Sequence, residues 1–148
     1  MFTKVLVPLD GSEFAECSLP VVKNMAREGS IREIILLTVA VIDIPHEGIG
    51  KDFDFPTYWG TQLEKSKKYL AGVQDKLSKR VPKVDTVVIE VGWPAQVITT
   101  FAEQNNVDLI IITSYGNSGL RNLMFGSVAL RVLHDSHIPV LLIRPYSR

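Results

Sequence analysis

The segment 108–133 constrains the fold of this chain more than any other. An apolar run, Leu109-Ile110-Ile111-Ile112-Thr113, leads into a glycine-punctuated stretch, Gly116-Asn117-Ser118-Gly119, and a second Gly-Ser pair, Gly126-Ser127, stands just before a helical pattern. A buried strand, a loop and a helix in that order form the repeating unit of an α/β protein. Glycines at such a turn let the backbone approach a ligand without a Cβ in the way. Their amides can converge on an anion, and a helix opening at Ser127 adds unpaired N–H groups and the positive end of its dipole. A phosphate is the natural occupant. The competing reading is ordinary loop punctuation between a strand and a helix. The stretch is neither a Walker-type P-loop, since no Gly-Lys-Ser/Thr follows the first glycine, nor a dinucleotide fingerprint.

The remaining pattern extends the same unit. Val5, Leu6, Val7 and Leu9 form a short continuous apolar run that stops at Asp10-Gly11-Ser12, as expected of a central parallel strand buried on both faces. Ser12 then caps a helix whose stripe is Ala15, Leu19, Val22 and Ala26, with a kink expected at Pro20 and an end at Gly29. Ile34, Ile35, Leu36, Leu37 and Val39 predict a second strand, and residues 40–56 a long irregular loop. Leu63, Ser66, Leu70, Val73 and Leu77 share one face of the next helix; Lys65, Lys67, Lys68, Lys76 and Lys79 read as its solvated side. A third strand is expected over Val84, Val87, Val88, Ile89 and Val91. Gly92-Trp93-Pro94 then starts a helix that buries Ile98, Phe101 and Ala102, and Pro139 opens a last strand, Val140 to Ile143. Five strands alternating with four helices predict a parallel, doubly wound sheet with helices on both faces. Asp10 and Gly116 would then be neighbours if the strand order reverses between their strands.

Composition narrows the function. The 148 residues suit one domain, 1–148, and with 46% apolar and 22% charged residues the chain is globular rather than disordered. A formal net charge of zero leaves no electrostatic footprint for nucleic acid. Cys17 is the lone cysteine, so no intramolecular disulfide forms and a reducing compartment is expected. Neither a leader nor an apolar run of membrane-spanning length is visible, so the expected location is the cytoplasm, with no membrane partner.

With those residues in place, the chain resembles the universal stress protein family. The matching pieces are Val5-Leu6-Val7-Pro8-Leu9-Asp10-Gly11-Ser12, Leu36-Leu37-Thr38-Val39, Gly92-Trp93-Pro94-Ala95, Ser114 through Leu120 with Gly126-Ser127-Val128, and Pro139 through Ile143. The resemblance implies a Rossmann-like five-stranded parallel sheet of order 3-2-1-4-5 and a homodimer. It also implies an adenine nucleotide, ATP alone or with Mg or Mn, at the carboxyl edge of the sheet, in a stress-response or signalling switch acting on an unidentified downstream protein. By the same resemblance Asp10 meets the ribose or adenine end, with Pro8 and Leu9 beneath the nucleotide. Val39 offers backbone contacts to adenine, Gly116 and Gly119 line the phosphates, and Gly126, Ser127 and Val128 hold the phosphate tail. Three features depart from the family pattern. The spacer 120–125 is six residues, shorter than is common; Tyr115 stands where histidine is frequent and Asn117 where arginine is.

Several residues carry two readings. Asp10 either takes a ribose hydroxyl or caps the following helix with Ser12. Ser127 is a phosphate donor or a plain N-cap. Arg121 either reaches phosphate or lies on the surface, His134 and His137 read as helix-end residues, and Cys17 and Met124-Phe125 as packing. The loop residues Asp43, His46, Glu47, Asp52 and Asp54 match no metal-ligand spacing. No catalytic constellation assembles, so at most slow ATP hydrolysis or autophosphorylation is expected. The alternative function is a dimeric interaction or chaperone-like module on the same fold that binds no nucleotide. In either case the last strand, Val140 to Ile143, is the expected dimer contact, because an apolar sheet edge invites pairing with its two-fold mate.

Overall fold

A computed structural model of the chain describes residues 1–42, 50–114 and 126–145. Its strands are β1 (Lys4–Pro8), β2 (Glu33–Val39), β3 (Lys83–Ile89), β4 (Leu109–Thr113) and β5 (Val140–Ile143); its helices are α1 (Glu13–Glu16), α2 (Leu19–Arg27), α3 (Phe55–Ser78), α4 (Pro94–Gln104) and α5 (Ser127–Asp135). All strand pairs are parallel and the order is β3-β2-β1-β4-β5. The expected doubly wound sheet is therefore present, and its order reverses between β1 and β4.

Strand alternation divides the core into two layers. Val5, Val7, Ile34, Leu36, Leu109 and Ile111 face α1, α2 and α3, where Ala15, Leu19, Val22, Leu70, Val73 and Leu77 meet them. Leu6, Ile35, Leu37, Ile110 and Ile112 face the opposite way, against Ile98 and Ala102 of α4 and Ala129 and Val132 of α5. Val5, Leu6 and Val7 are completely buried, as continuous apolar runs of a central parallel strand require. Each contributes about 1.5–3 kcal/mol relative to an exposed position.

Four expectations need correction. The first helical segment is broken, not kinked. Pro20 has no N–H and its ring excludes the carbonyl four residues before it. The chain accordingly tightens, with Cys17 N donating to Phe14 O at 3.1 Å and Ser18 N to Ala15 O at 3.2 Å, and α2 restarts where Val22 N donates to Ser18 O at 3.1 Å. The stripe survives the break, since Ala15, Leu19, Val22 and Ala26 are all buried.

The irregular segment after β2 ends earlier than residue 56. Pro56 belongs to the first turn of α3, which Asp54 caps by accepting from Thr57 N at 3.2 Å. Proline fits there because first-turn amides have no intrahelical acceptor. At the far end of β3, Val91 lies outside the strand and is 82% exposed. Gly92 follows at φ +136, and a Cβ on it would collide with Val97 Cγ2, so this turn requires glycine. Finally, β5 begins at Val140, with Pro139 just ahead of it lending its carbonyl to Ile110 N at 2.9 Å.

Candidate functional site

The carboxyl ends of β1 and β4 part at the point where the strand order reverses, and a cleft of about 600 Å³ opens there. That is where open α/β sheets bind ligands, and the volume suits a small organic molecule. Pro8, Leu9 and Asp10 supply the tip of β1, Val39 the end of β2, and Gly126, Ser127 and Val128 the start of α5, all of them lining this one cleft. Gly116 and Gly119 lie outside the described residues, as do Arg121, His46, Tyr115, Asn117, Met124 and Phe125.

The floor is held rigidly. Leu9 N donates to Leu37 O at 2.8 Å, and the buried hydroxyl of Thr38 donates to Leu9 O at 2.9 Å. With both Leu9 backbone groups engaged, the direction in which Asp10 leaves the strand is set. Asp10 Oδ1 accepts from Ser12 N at 2.9 Å and Ser12 Oγ at 2.5 Å, and Ser12 Oγ in turn accepts from Ala15 N at 3.1 Å. The capping geometry is thus present, with the carboxylate exposed at the cleft. These hydrogen bonds orient it and leave a ligand contact compatible with the capping role.

On the opposite side, α5 begins differently from the expected pattern. Its N-cap is Gly126, which has no side chain to offer, and Ser127 is the first helical residue rather than the cap. Leu130 N closes the first intrahelical bond onto Gly126 O at 3.0 Å. The amides of Ser127, Val128 and Ala129 precede that bond, no side chain among the described residues caps the helix, and all three residues line the cleft. Unpaired first-turn amides at the positive end of a helix dipole attract an anion. Gly126 N donates to Ser114 O, tying this start to the end of β4. Ser114 is 1% exposed and its Oγ has no partner among the described residues; such an orphaned hydroxyl costs about 1–3 kcal/mol.

The third wall was missed in the sequence. Ala40, Val41 and Ile42, and Gln62 and Ser66 of α3, also line the cleft. Val41 and Ile42 are 61% and 53% exposed, which gives the cavity uncovered apolar surface. A usable signal existed in α3: Gln62 and Ser66 put two polar side chains at stripe positions two turns and one turn before Leu70, beside Leu63. Beside this wall Tyr69 donates to Glu16 Oε1 at 3.0 Å. Burial pushes its phenol far above the ordinary range, with the Glu16 hydrogen bond and the Glu16 and Asp10 charges adding to the shift. Among the described residues, no three His, Cys, Asp or Glu side chains gather where they could hold a metal ion.

A five-stranded parallel sheet wrapped by helices on both faces, with a ligand-sized cleft at its switch point, defines an open doubly wound α/β protein. The sequence profile of the universal stress protein family matches residues 1–144, and the chain belongs to that family. Universal stress protein MJ0577 of Methanocaldococcus jannaschii is 30% identical over 161 residues, spanning 97% of this chain and 96% of its own. The solved structure of MJ0577 superposes with a TM-score of 0.82 at 32% identity, covering 100% of this chain and 99% of that one. Two more distant structures share the fold. A family protein from Arabidopsis thaliana with AMP bound has a TM-score of 0.69 at 19% identity, covering 98% of this chain and 93% of that one. The Archaeoglobus fulgidus universal stress protein in complex with dAMP has a TM-score of 0.64 at 19% identity, covering 96% and 97%.

Proposed function

We propose that this chain binds an adenine nucleotide, ATP by preference, in the cleft between β1 and β4, and acts as a nucleotide-dependent switch in a stress response. The observation that carries the reading is the start of α5: three first-turn amides with no partner and no side-chain cap among the described residues, and a place at the switch point of the sheet. The phosphate tail sits against Gly126, Ser127 and Val128 at that helix start, and the family resemblance assigns Gly116 and Gly119, outside the described residues, to the phosphates. Asp10, oriented by Ser12, takes the ribose hydroxyls, Pro8 and Leu9 lie beneath the nucleotide, and the Val39 backbone meets adenine. Bound AMP and dAMP in related structures support the ligand class. The protein is cytoplasmic and acts through an unidentified partner. Turnover is at most slow hydrolysis or autophosphorylation, with Mg or Mn arriving on the phosphates.

Dimerisation through β5 belongs to the same proposal. β5 pairs with β4 on one side and ends the sheet on the other, and all four of its apolar residues are only half-buried. This edge also supports a second reading, a dimeric interaction module indifferent to nucleotide.

The deciding experiment is purification without added ligand, acid precipitation, and identification of the released nucleotide by chromatography and mass spectrometry, followed by titration with ATP and magnesium. Near-stoichiometric ATP or ADP, or saturable binding on titration, establishes the switch. Failure to bind at millimolar ATP would discard the nucleotide mechanism and leave the interaction module.

A further inference from the structure

The two ends of the cleft differ in chemistry. At one end the uncapped start of α5 offers backbone N–H donors and a positive dipole. At the other, α3 packs on the opposite face of the sheet and presents Gln62 and Ser66. Between them run the apolar surfaces of Leu9, Val41, Ile98 and Ile112. The α3 side chains that line this end, Gln62 and Ser66, carry no charge and offer an anion no cationic partner. A molecule filling the cleft is therefore anionic at the α5 end, apolar in the middle, and neutral but hydrogen-bonding at the α3 end.

Gln62 and Ser66 stand one turn apart on the core stripe of α3, eight and four positions before Leu70, which is fully buried. A residue on that stripe is directed inward by the register of the helix. Below Ser66 the stripe meets the sheet and is Leu, Val and Leu at positions 70, 73 and 77; toward the helix start it passes Leu63, and the two α3 side chains that line the cleft, Gln62 and Ser66, are polar. Neither side chain has a hydrogen-bond partner among the described residues. Both are partly buried.

We propose that Gln62 and Ser66 determine base specificity by hydrogen-bonding the polar edge of the nucleotide base; this rests on the nucleotide reading of the cleft. A carboxamide places an acceptor and a donor side by side. That pair complements an aminopurine edge on which an exocyclic amino group adjoins a ring nitrogen, and not an edge made of two acceptors. The Ser66 hydroxyl, able to give or take a proton, adds a second contact one helical turn nearer the core.

The test is calorimetric titration of the full chain with AMP and with ribose 5-phosphate, which keeps the anion and the sugar and lacks the base. Gln62→Met, close in shape, is expected to weaken AMP about thirtyfold, the loss of two neutral hydrogen bonds, and Ser66→Ala about fivefold, the loss of one; both should leave ribose 5-phosphate unchanged. Wild-type affinity for AMP in both variants overturns the assignment, as does equal weakening of the two ligands. A wild-type protein that binds ribose 5-phosphate as tightly as AMP keeps the anion site and removes base reading. One that binds neither, nor millimolar ATP, removes the nucleotide reading of the cleft, and this assignment falls with it.

Discussion

Asp108 joins the start of β1 to the start of β4. Its Oδ2 accepts from Thr3 N at 2.9 Å, Thr3 Oγ1 at 2.8 Å and Lys4 N at 2.8 Å. The Lys4 backbone bond, then the two Thr3 bonds, hold its carboxyl below the usual carboxylate range. A depressed folded-state pKa means the stabilisation is complete above the unfolded value, about 4, and is lost as pH falls through the folded one. Asp108→Asn should therefore lower the unfolding free energy by about 1–2 kcal/mol at neutral pH. The difference from wild type should shrink at pH 3, as urea denaturation at both pH values would reveal; a gap independent of pH would show that ionisation of Asp108 is irrelevant. In sequence Asp108 is only a polar residue before a strand. Its three donors come from the other end of the chain, and no local pattern announces them. Asp10 was legible because it ends an apolar run, yet its bonds to Ser12 are local ones that the capping reading described equally well.

At the scale of elements, periodicity located every strand and most helices, because burial on one or both faces leaves a repeat in the residues themselves. It failed where two local rules compete. The stripe through Ala15, Leu19, Val22 and Ala26 reads as one helix, whereas the missing N–H of Pro20 divides it into α1 and α2. The edge strand β5 supports a prediction of its own. Pro139 O and Ile143 O accept from Ile110 N and Ser114 N, so by alternation residues 139, 141 and 143 turn their backbone toward β4, and Val140 and Leu142 turn theirs outward. Leu142→Pro removes an outward donor without touching a β4 bond, a position where sheets tolerate proline. Sedimentation should then give a dimer for wild type and a monomer for the variant, with the circular dichroism spectrum retained. A dimeric variant would move the interface elsewhere.

For the whole molecule, the cleft joins elements from both faces of the sheet: Ala15 and Ser66 from one, Ile98 and Ala129 from the other. A ligand there bridges both layers and exists only against the folded state. AMP or ATP at about a hundred times its dissociation constant should raise the unfolding free energy by about 2.7 kcal/mol. Scanning calorimetry should register this as a rise of several degrees in the melting temperature. Melting that ignores millimolar AMP and ATP alike would contradict the bridging ligand.

The sequence by itself determined the alternation of strands and helices, the two-faced burial of β1, β2 and β4, and the placing of Asp10 and Gly126-Ser127 at element ends. These follow from rules acting over a few residues: side-chain period, proline and glycine geometry, and the chemistry of a helix start. The tertiary structure decided that β4 lies beside β1 rather than β2, which makes Asp10 and Gly126 walls of one cleft. It also decided that α3 overhangs the carboxyl edge, so that Gln62 and Ser66 meet the cavity and Leu70 meets the core. An apolar stripe records that a helix face is covered but not by what, and the covering element is chosen by packing between residues far apart in the chain.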